Sequence, residues 1–482
     1  MSRASRVLVL QPPSPPGMNV YRDYAGGYGT ASPSDRAHYG HDRVPVVPYV
    51  SLLFVAALLE LDGHRVGFVD GQAESLSAEG CCNRAAAFGP DVVVSVISLP
   101  SLWLDLALLR QLKRANPKCT VVGIGTTCRG LPHEVLSRGG VDVAVTGDPE
   151  VVAPSLLRAL PSSERLDGVA GIAFPRDGTV IETPSAPLLD SLDTFPMPAY
   201  HLAAASRYWH HHFGPEVRCA HVITSRGCPE RCGFYCPYPF GFGPRTLFRP
   251  VEAVVEELAL LRRHYDVGGV VFRDMNFTAS RPRTAQLCEE MLRRNLRLRW
   301  LCEARLNQVN AELLSLMGAA GCERIHYGLE TGDPQLLSEI GKPGVDLETA
   351  ARAVAQAKAA GLNVQLHLML GLPGETWETV RQTQRTLRRL RPDSVQIVLP
   401  TPYPGTRFRE EALAAGRVRC PRDWARYTGS DAVMDGDHMS VEGLVRARDW
   451  LNATWREPAP KQLLRRAARS LLRRAGRRTC SN

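Results

Sequence analysis

Twice along the chain, short apolar runs alternate strictly with amphipathic helical segments, a pattern that few folds can satisfy. The first stretch runs from Val7 to about Leu160. VLVL (7–10) is predicted as a strand, YVSLLFVAALLELDG (49–63) as a helix stopped by Gly63, and HRVGFVD (64–70) as a strand again. DVVVSVIS (91–98), the helix LWLDLALLRQLKRA (102–115), CTVVGIG (119–125), a helix near LPHEVLSRG and the strand VDVAVTG (141–147) continue the series. Apolar strands separated by helices require a parallel sheet covered on both faces, and ligands on such doubly wound sheets sit at the carboxyl ends of the strands.

The alternation restarts at Cys219 and runs to about Phe408. Strands are predicted at HVITS (221–225), GVVFRD (269–274), RWLCEA (299–304), RIHYGLE (324–330), VQLHLMLG (364–371) and VQIVLP (395–400), with helices such as VEAVVEELALLRRHY between them. Six strand–helix repeats imply a partial (β/α)6 barrel, shorter than the eightfold TIM barrel, with its chemistry at the strands' carboxyl ends. The expected organisation is therefore an α/β chain with four parts. A doubly wound, Rossmann-like domain spans 1–160, and a connector with a small hairpin at Ile172–Thr183 spans 161–215. The partial barrel spans 216–415, and a C-terminal region ending in a helical tail spans 416–482. In the connector, the three histidines of WHHHF (209–213) are read as a solvated loop, because adjacent histidines do not all face one metal.

Composition narrows the class. With 44% apolar and 22% charged residues over 482 positions, the chain reads as an ordinary globular protein. It has no run of about 18 apolar residues, and MSRASRVLVLQPPSPP has no signal-peptide pattern, so a cytoplasmic location is expected. The net charge of +9 is concentrated at the end: nine Lys or Arg and one acid, Glu457, lie between Arg456 and Arg478. In QLLRRAARSLLRRAGRR, leucines and arginines alternate at helical spacing, which favours a terminal helix packed on the body over a membrane or RNA contact. Nothing points to DNA. Thirteen cysteines, odd in number and scattered, do not form a secreted disulfide framework.

Three of those cysteines, Cys228, Cys232 and Cys236, fall in TSRGCPERCGFYCPYP (224–239), just after the first barrel strand. Thiolates so close in a Gly- and Pro-bearing loop suit one iron–sulfur cube, and three without a fourth leave one iron open. Zinc would want a fourth ligand, and the nearest histidines are His221, on the preceding strand, and His264.

This loop resembles the signature of the radical S-adenosylmethionine (SAM) enzymes, and the surrounding sequence resembles their cobalamin (B12)-dependent branch. The resemblance implies that Cys228, Cys232 and Cys236 hold a 4Fe-4S cluster whose open iron is chelated by SAM. An electron, from a donor such as flavodoxin or ferredoxin, would then split SAM to a 5'-deoxyadenosyl radical. Further segments match in order. GVVFRDMNFT implies Asp274 and Asn276 near the methionine part of SAM; the stretch from LCEARLNQ to GLETGDPQLL implies Arg305 and Glu330 as SAM contacts; LMLGLPGET places Gly371 beside adenosine; and Tyr235 precedes the last cysteine. The family's usual loop has three and then two residues between cysteines, whereas CPERCGFYC has three and three. Phe234 or Tyr235 is therefore expected to bulge.

For the first domain the resemblance implies a B12 site. DGHRVG (62–67) fits the Asp-x-His-x-x-Gly pattern of cobalt-ligating histidines but falls at a helix exit, so His64 is read as a connector residue. GIGTTC (123–128) begins like a dinucleotide loop but follows an inner strand. Ser95, Ser98, Gly123, Gly125, Thr126, Gly147 and Glu150, at strand ends, would border the corrinoid and its nucleotide tail. The long Gly/Pro-rich segment 12–36 would cover corrin or substrate, with Tyr21, Arg22 and Asp23 as candidates. The function implied is methyl transfer from methylcobalamin to an unactivated carbon of a small molecule. The alternatives are cyclisation, ring contraction or oxidation with the same cofactors, a methylthiotransferase, and a non-catalytic corrinoid or SAM sensor.

Overall fold

The computed structural model describes residues 4–34, 45–160, 163–230 and 235–456. The basic tail and the middle of the cysteine loop, Cys232 and Phe234 included, lie outside the described residues, and so does the expectation of a bulge there.

In the first half, strands β1 (Arg6–Gln11), β2 (Arg65–Asp70), β3 (Val92–Val96), β4 (Thr120–Ile124) and β5 (Val143–Val145) alternate with helices α1 (Val50–Leu61), α2 (Ala78–Phe88), α3 (Leu102–Ala115) and α4 (Pro149–Ala159). The sheet order is β2-β1-β3-β4-β5, all parallel, and it continues into the antiparallel hairpin β6 (Ile172–Arg176) and β7 (Thr179–Glu182). The connector's hairpin thus extends the first sheet. Strand order reverses beside β1, which opens a crevice at the carboxyl ends of β1 and β3, where such folds bind ligands. Helix α1 is buried nearly all round, as VSLLFVAALLEL predicts: Phe54 packs on Phe195 at 5.2 Å, and its far side meets Arg249 of the second half.

The second half contains six parallel strands in sequential order: β8 (Cys219–Val222), β9 (Gly269–Phe272), β10 (Arg299–Ala304), β11 (Cys322–Glu330), β12 (Asn363–Met369) and β13 (Ser394–Val398). Helices α5 (Val251–His264), α6 (Arg281–Arg293), α7 (Ala311–Ala319), α8 (Leu347–Ala359) and α9 (Trp377–Leu390) cover the outside. This is the partial barrel. Its floor corrects one expectation: the WHHHF segment is not a solvated loop. Phe213 is 6% exposed and packs with Cys219, Val271 and Leu301, and His210 is 4% exposed. Only His211 faces out. The turn uses the neighbour of these histidines, Phe213, to close the barrel floor.

After the barrel, α10 (Arg407–Ala414) leads back to the first domain, where Tyr403, Trp424 and Tyr427 join Tyr28 and Leu99 in one core. The last described helix, α11 (Val441–Thr454), returns to the barrel and packs on α9, Trp450 meeting Trp377 edge-on at 6.0 Å.

Candidate functional site

The cysteine loop leaves β8 and is clamped at its root. Asp274, one residue past Arg273 at the end of β9 and 1% exposed, accepts from the Thr224 N–H at 3.2 Å, from its hydroxyl at 2.9 Å, and from the Ser225 hydroxyl. Burial raises its pKa, opposed by those donors and by Arg283. Expected as a SAM contact, Asp274 instead spends both oxygens on the loop. Arg283 adds bonds to the Thr224 hydroxyl at 3.2 Å and carbonyl at 3.1 Å. Gly227, at φ +82°, lies against the Arg245 carbonyl, with which any Cβ would collide. Cys228 follows at once and Cys236 stands eight residues on; both are half-buried, and Tyr235 is buried. This donor set, two thiols on a pinned loop with Cys232 between them in sequence, fits an iron–sulfur cluster.

Around it the strand ends converge. Glu230, between the first two cysteines, takes an ion pair from Arg305 at 3.3 Å and a bond from Gln308, which also binds Asn276. Arg305 and Asn276 therefore grip the loop as well as bordering the mouth. Glu330 ends β11 in the left-handed region, φ +68°, a strained conformation for a carboxylate residue. It is held there by Lys342, 2.7 Å away and 9% exposed, whose ammonium also donates to the Gly328 carbonyl at 2.5 Å. A Cβ on Gly328 would stand 2.5 Å from the Glu330 carboxylate and 2.6 Å from the Lys342 nitrogen, so glycine makes room for the pair. Lys342 was not among the expected residues; its position in GKPG, twelve residues beyond Glu330, carries no signal without the fold. Gly371 differs from expectation too: it is closed in by Pro400 and Leu444 of α11, so its small size serves packing.

Across a seam lie the strand ends of the first sheet, and here most expected ligands are already engaged. Ser98 accepts from Arg22 at 3.1 Å, Thr126 donates to the Gly26 carbonyl at 2.6 Å, and Ser95 to the Val96 carbonyl at 3.3 Å. Gly123 is small because Ile97 and Cys128 fill its side, and Gly147 because Val152 and Ala186 do. Glu150, with a side chain 1% exposed, faces Arg226 of the cysteine loop at 2.7 Å, and Asp148 is 3.6 Å from the same guanidinium. Burial disfavours charge on Arg226, yet the two carboxylates hold its pKa above the ordinary value. These residues join the lobes. The Thr127 hydroxyl, on the turn after Gly125 (φ +106°), is fully buried with no hydrogen-bond partner among the described residues, as is Oε1 of Glu150. An orphan donor at a strand end fits the nucleotide tail of a corrinoid.

The segment after β1 staples the halves together. Arg22 reaches into the first sheet's edge, pairing with Asp105 at 2.8 Å, both side chains 1% exposed. Asp23 reaches the opposite way, to Arg273 at 2.9 Å and His221 at 3.1 Å. Burial raises the Asp23 pKa, but Arg273 and His221 more than reverse this and hold it well below the usual carboxylate range. The Tyr24 ring lies 3.9 Å from the Arg273 guanidinium carbon.

A doubly wound domain is thus joined through its strand ends to a cysteine-bearing partial barrel. Residues 222–387 match the radical SAM superfamily and residues 40–157 the B12 binding domain. An uncharacterised methyltransferase of Pyrococcus horikoshii is 30% identical over 400 residues, covering 83% of this chain and 85% of that protein. The anaerobic magnesium-protoporphyrin IX monomethyl ester cyclase of Rubrivivax gelatinosus is 27% identical over 400 residues, 81% and 70% of the two chains. The radical SAM methyltransferase TsrM of Kitasatospora setae, solved with tryptophan and a SAM analogue, superposes with a TM-score of 0.68 at 20% identity, over 86% of this chain and 77% of that one. The chain belongs to the cobalamin-dependent radical SAM family, with methyltransferases among its relatives. Its cofactors are a 4Fe-4S cluster, SAM and cobalamin. Among the described residues no helix is long and apolar enough to cross a membrane.

Proposed function

We propose that this enzyme is a C-methyltransferase that moves a methyl group, carried by cobalamin, to an unactivated carbon of a small molecule. When bound, the cluster and SAM supply a radical initiator and the corrinoid a methyl carrier. The chain supplies position and exclusion of water. Cys228, Cys232 and Cys236 would hold the cluster. Glu330, fixed by Lys342, would border SAM with Arg305 and Asn276, and Thr127 would meet the nucleotide tail. An electron donor such as flavodoxin or ferredoxin and a cytoplasmic setting complete the reading.

The observation that carries it is the staple. Because consecutive residues Arg22 and Asp23 anchor in opposite lobes, a carrier at the first sheet's strand ends and a substrate in the barrel mouth face one another across a short seam. The test is anaerobic reconstitution with iron, sulfide and hydroxocobalamin, then turnover with methyl-deuterated SAM and a small-molecule extract from cells lacking the gene. Retained corrinoid, SAM-dependent 5'-deoxyadenosine and a CD3-bearing product are expected. Absence of 5'-deoxyadenosine overturns the radical part, and absence of corrinoid the B12 part. An unlabelled product overturns methyl transfer in favour of ring closure or oxidation, the reading that the cyclase relative supports.

A further inference from the structure

Residues in register on neighbouring parallel strands point to the same face of a sheet, so the pairings sort the barrel's side chains. The face toward the helices is apolar and buried: Val222, Phe272, Trp300, Ile325, Tyr327 and Leu366 belong to the main core. The other face encloses the lumen. Barrel interiors are ordinarily filled with layers of branched apolar side chains. Here such filling stops at the floor, with Phe213, Val271 and Leu301. Above it stand Glu303, His326 and Gln365 in one register row, with Arg273 bonded to Glu303, and His367 beside Gly328 in the next. Glu303, His326, Gln365 and His367 stay only half-buried although strands surround them.

Two of these groups are left wanting a partner. Glu303 gives one oxygen to Arg273 at 3.1 Å, and among the described residues its second accepts nothing. His326 has a buried Nε2 with no partner, and its ring sits 5.2 Å from that of His367. Burial keeps both imidazoles below their ordinary pKa, hence neutral and able to accept. A polar atom buried in this way costs free energy until something bonds it. The cations at the mouth, by contrast, already have carboxylates: Arg273 has Asp23 and Glu303, Lys342 has Glu330, and Arg305 has Glu230. Lower down, Arg324 is tied to Gln365 and Ser394. At the level of Glu303 and His326 the described residues offer acceptors and half of a carboxylate, while the cations of the mouth are paired; Arg324, a row below, keeps one buried nitrogen, Nε, without a hydrogen-bond partner.

We propose that this lumen is the substrate chamber and that its occupant is a polar, amine-bearing small molecule whose ammonium is held by Glu303 and His326. This rests on the methyltransferase reading and adds the substrate class to it. The test fractionates the turnover mixture containing methyl-deuterated SAM into cation-exchange-retained, anion-exchange-retained, neutral and chloroform-extracted compounds. The CD3 label in compounds other than SAM and its methionine product is expected in the cation-exchange fraction; such label found only in any other fraction overturns the assignment. 5'-Deoxyadenosine formed without label anywhere overturns methyl transfer itself. With the labelled acceptor isolated, Glu303→Gln should raise its KM by roughly tenfold to a hundredfold, the worth of one charge-assisted hydrogen bond, with much less effect on kcat. Glu303→Asp should recover part of the loss, and His326→Phe should act in the same direction. Iron and corrinoid contents, measured on each variant, report loading. Unchanged KM in both fully loaded variants, Glu303→Gln and His326→Phe, overturns the role of these residues.

Discussion

Replacing Glu150 by Gln tests whether the lobes are held by a charge pair that water does not reach. The Arg226 and Glu150 side chains are 8% and 1% exposed with 2.7 Å between them. Breaking a buried pair from one side typically costs about 3–5 kcal/mol, because the surviving charge is stranded. Here Asp148, 3.6 Å from the guanidinium, and the Phe242 ring, 5.5 Å from it, remain, so a cost just under that range, about 2–3 kcal/mol, is expected. For a chain of this length the unfolding entropy is on the order of 1 kcal/mol per kelvin, and the melting temperature should fall by about 2–3 °C. Differential scanning calorimetry on the full chain measures it. The pair Arg158–Asp62 is the control, since its 2.8 Å separation is nearly the same while its side chains are 53% and 32% exposed. Arg158→Ala should cost less than about 1 kcal/mol. If Glu150→Gln melts at or above the wild-type temperature, or the exposed pair costs as much, burial is not what gives the contact its weight.

Three further outcomes are expected. Lys342→Met leaves Glu330 without its cation in a strained backbone position, and the dissociation constant for SAM in the cluster-loaded enzyme should rise about tenfold with iron content unchanged, as equilibrium dialysis would show. Gly328→Ala places a methyl group against both members of that pair and should weaken SAM binding in the same assay, at a stability cost of about 1–3 kcal/mol from overpacking. Glu375, 1% exposed and bonded to the Gly371 N–H at 3.3 Å and the Thr379 hydroxyl at 2.5 Å, has its pKa pushed up to about 7 by burial. The folded protein therefore holds this proton where the unfolded chain, near 4.5, has released it, so stability falls as pH rises from about 5 to 8. In Glu375→Gln this component of the fall should vanish; an unaltered pH dependence of the urea midpoint would contradict it.

Much of this protein is legible in its sequence, because the strongest signals are local. An apolar strand reads as such wherever it is packed, and LWLDLALLRQLKRA spans the very residues, 102–115, that form α3. Three cysteines in nine residues announce a cluster loop before any fold is known. Alternation is present as well: RIHYGLE carries Arg324, His326 and Glu330 on one face with Gly328 among them, and VQLHLM carries Gln365 and His367, although its meaning depends on knowing which face the helices cover.

What only the tertiary structure decides is which groups are already spoken for. A strand-end serine, a small glycine or a buried carboxylate looks the same in sequence whether it awaits a ligand or a distant side chain. Ser98 turns out to serve Arg22, Glu150 to serve Arg226, and Asp274 the root of the cysteine loop. Those partners lie 76, 76 and about 50 residues away, and hydrogen bonding and charge pairing act over a few ångströms of space irrespective of separation along the chain. The sequence by itself determined the two α/β lobes and the cofactor family; the meeting of the lobes determined which side chains remain free to do chemistry.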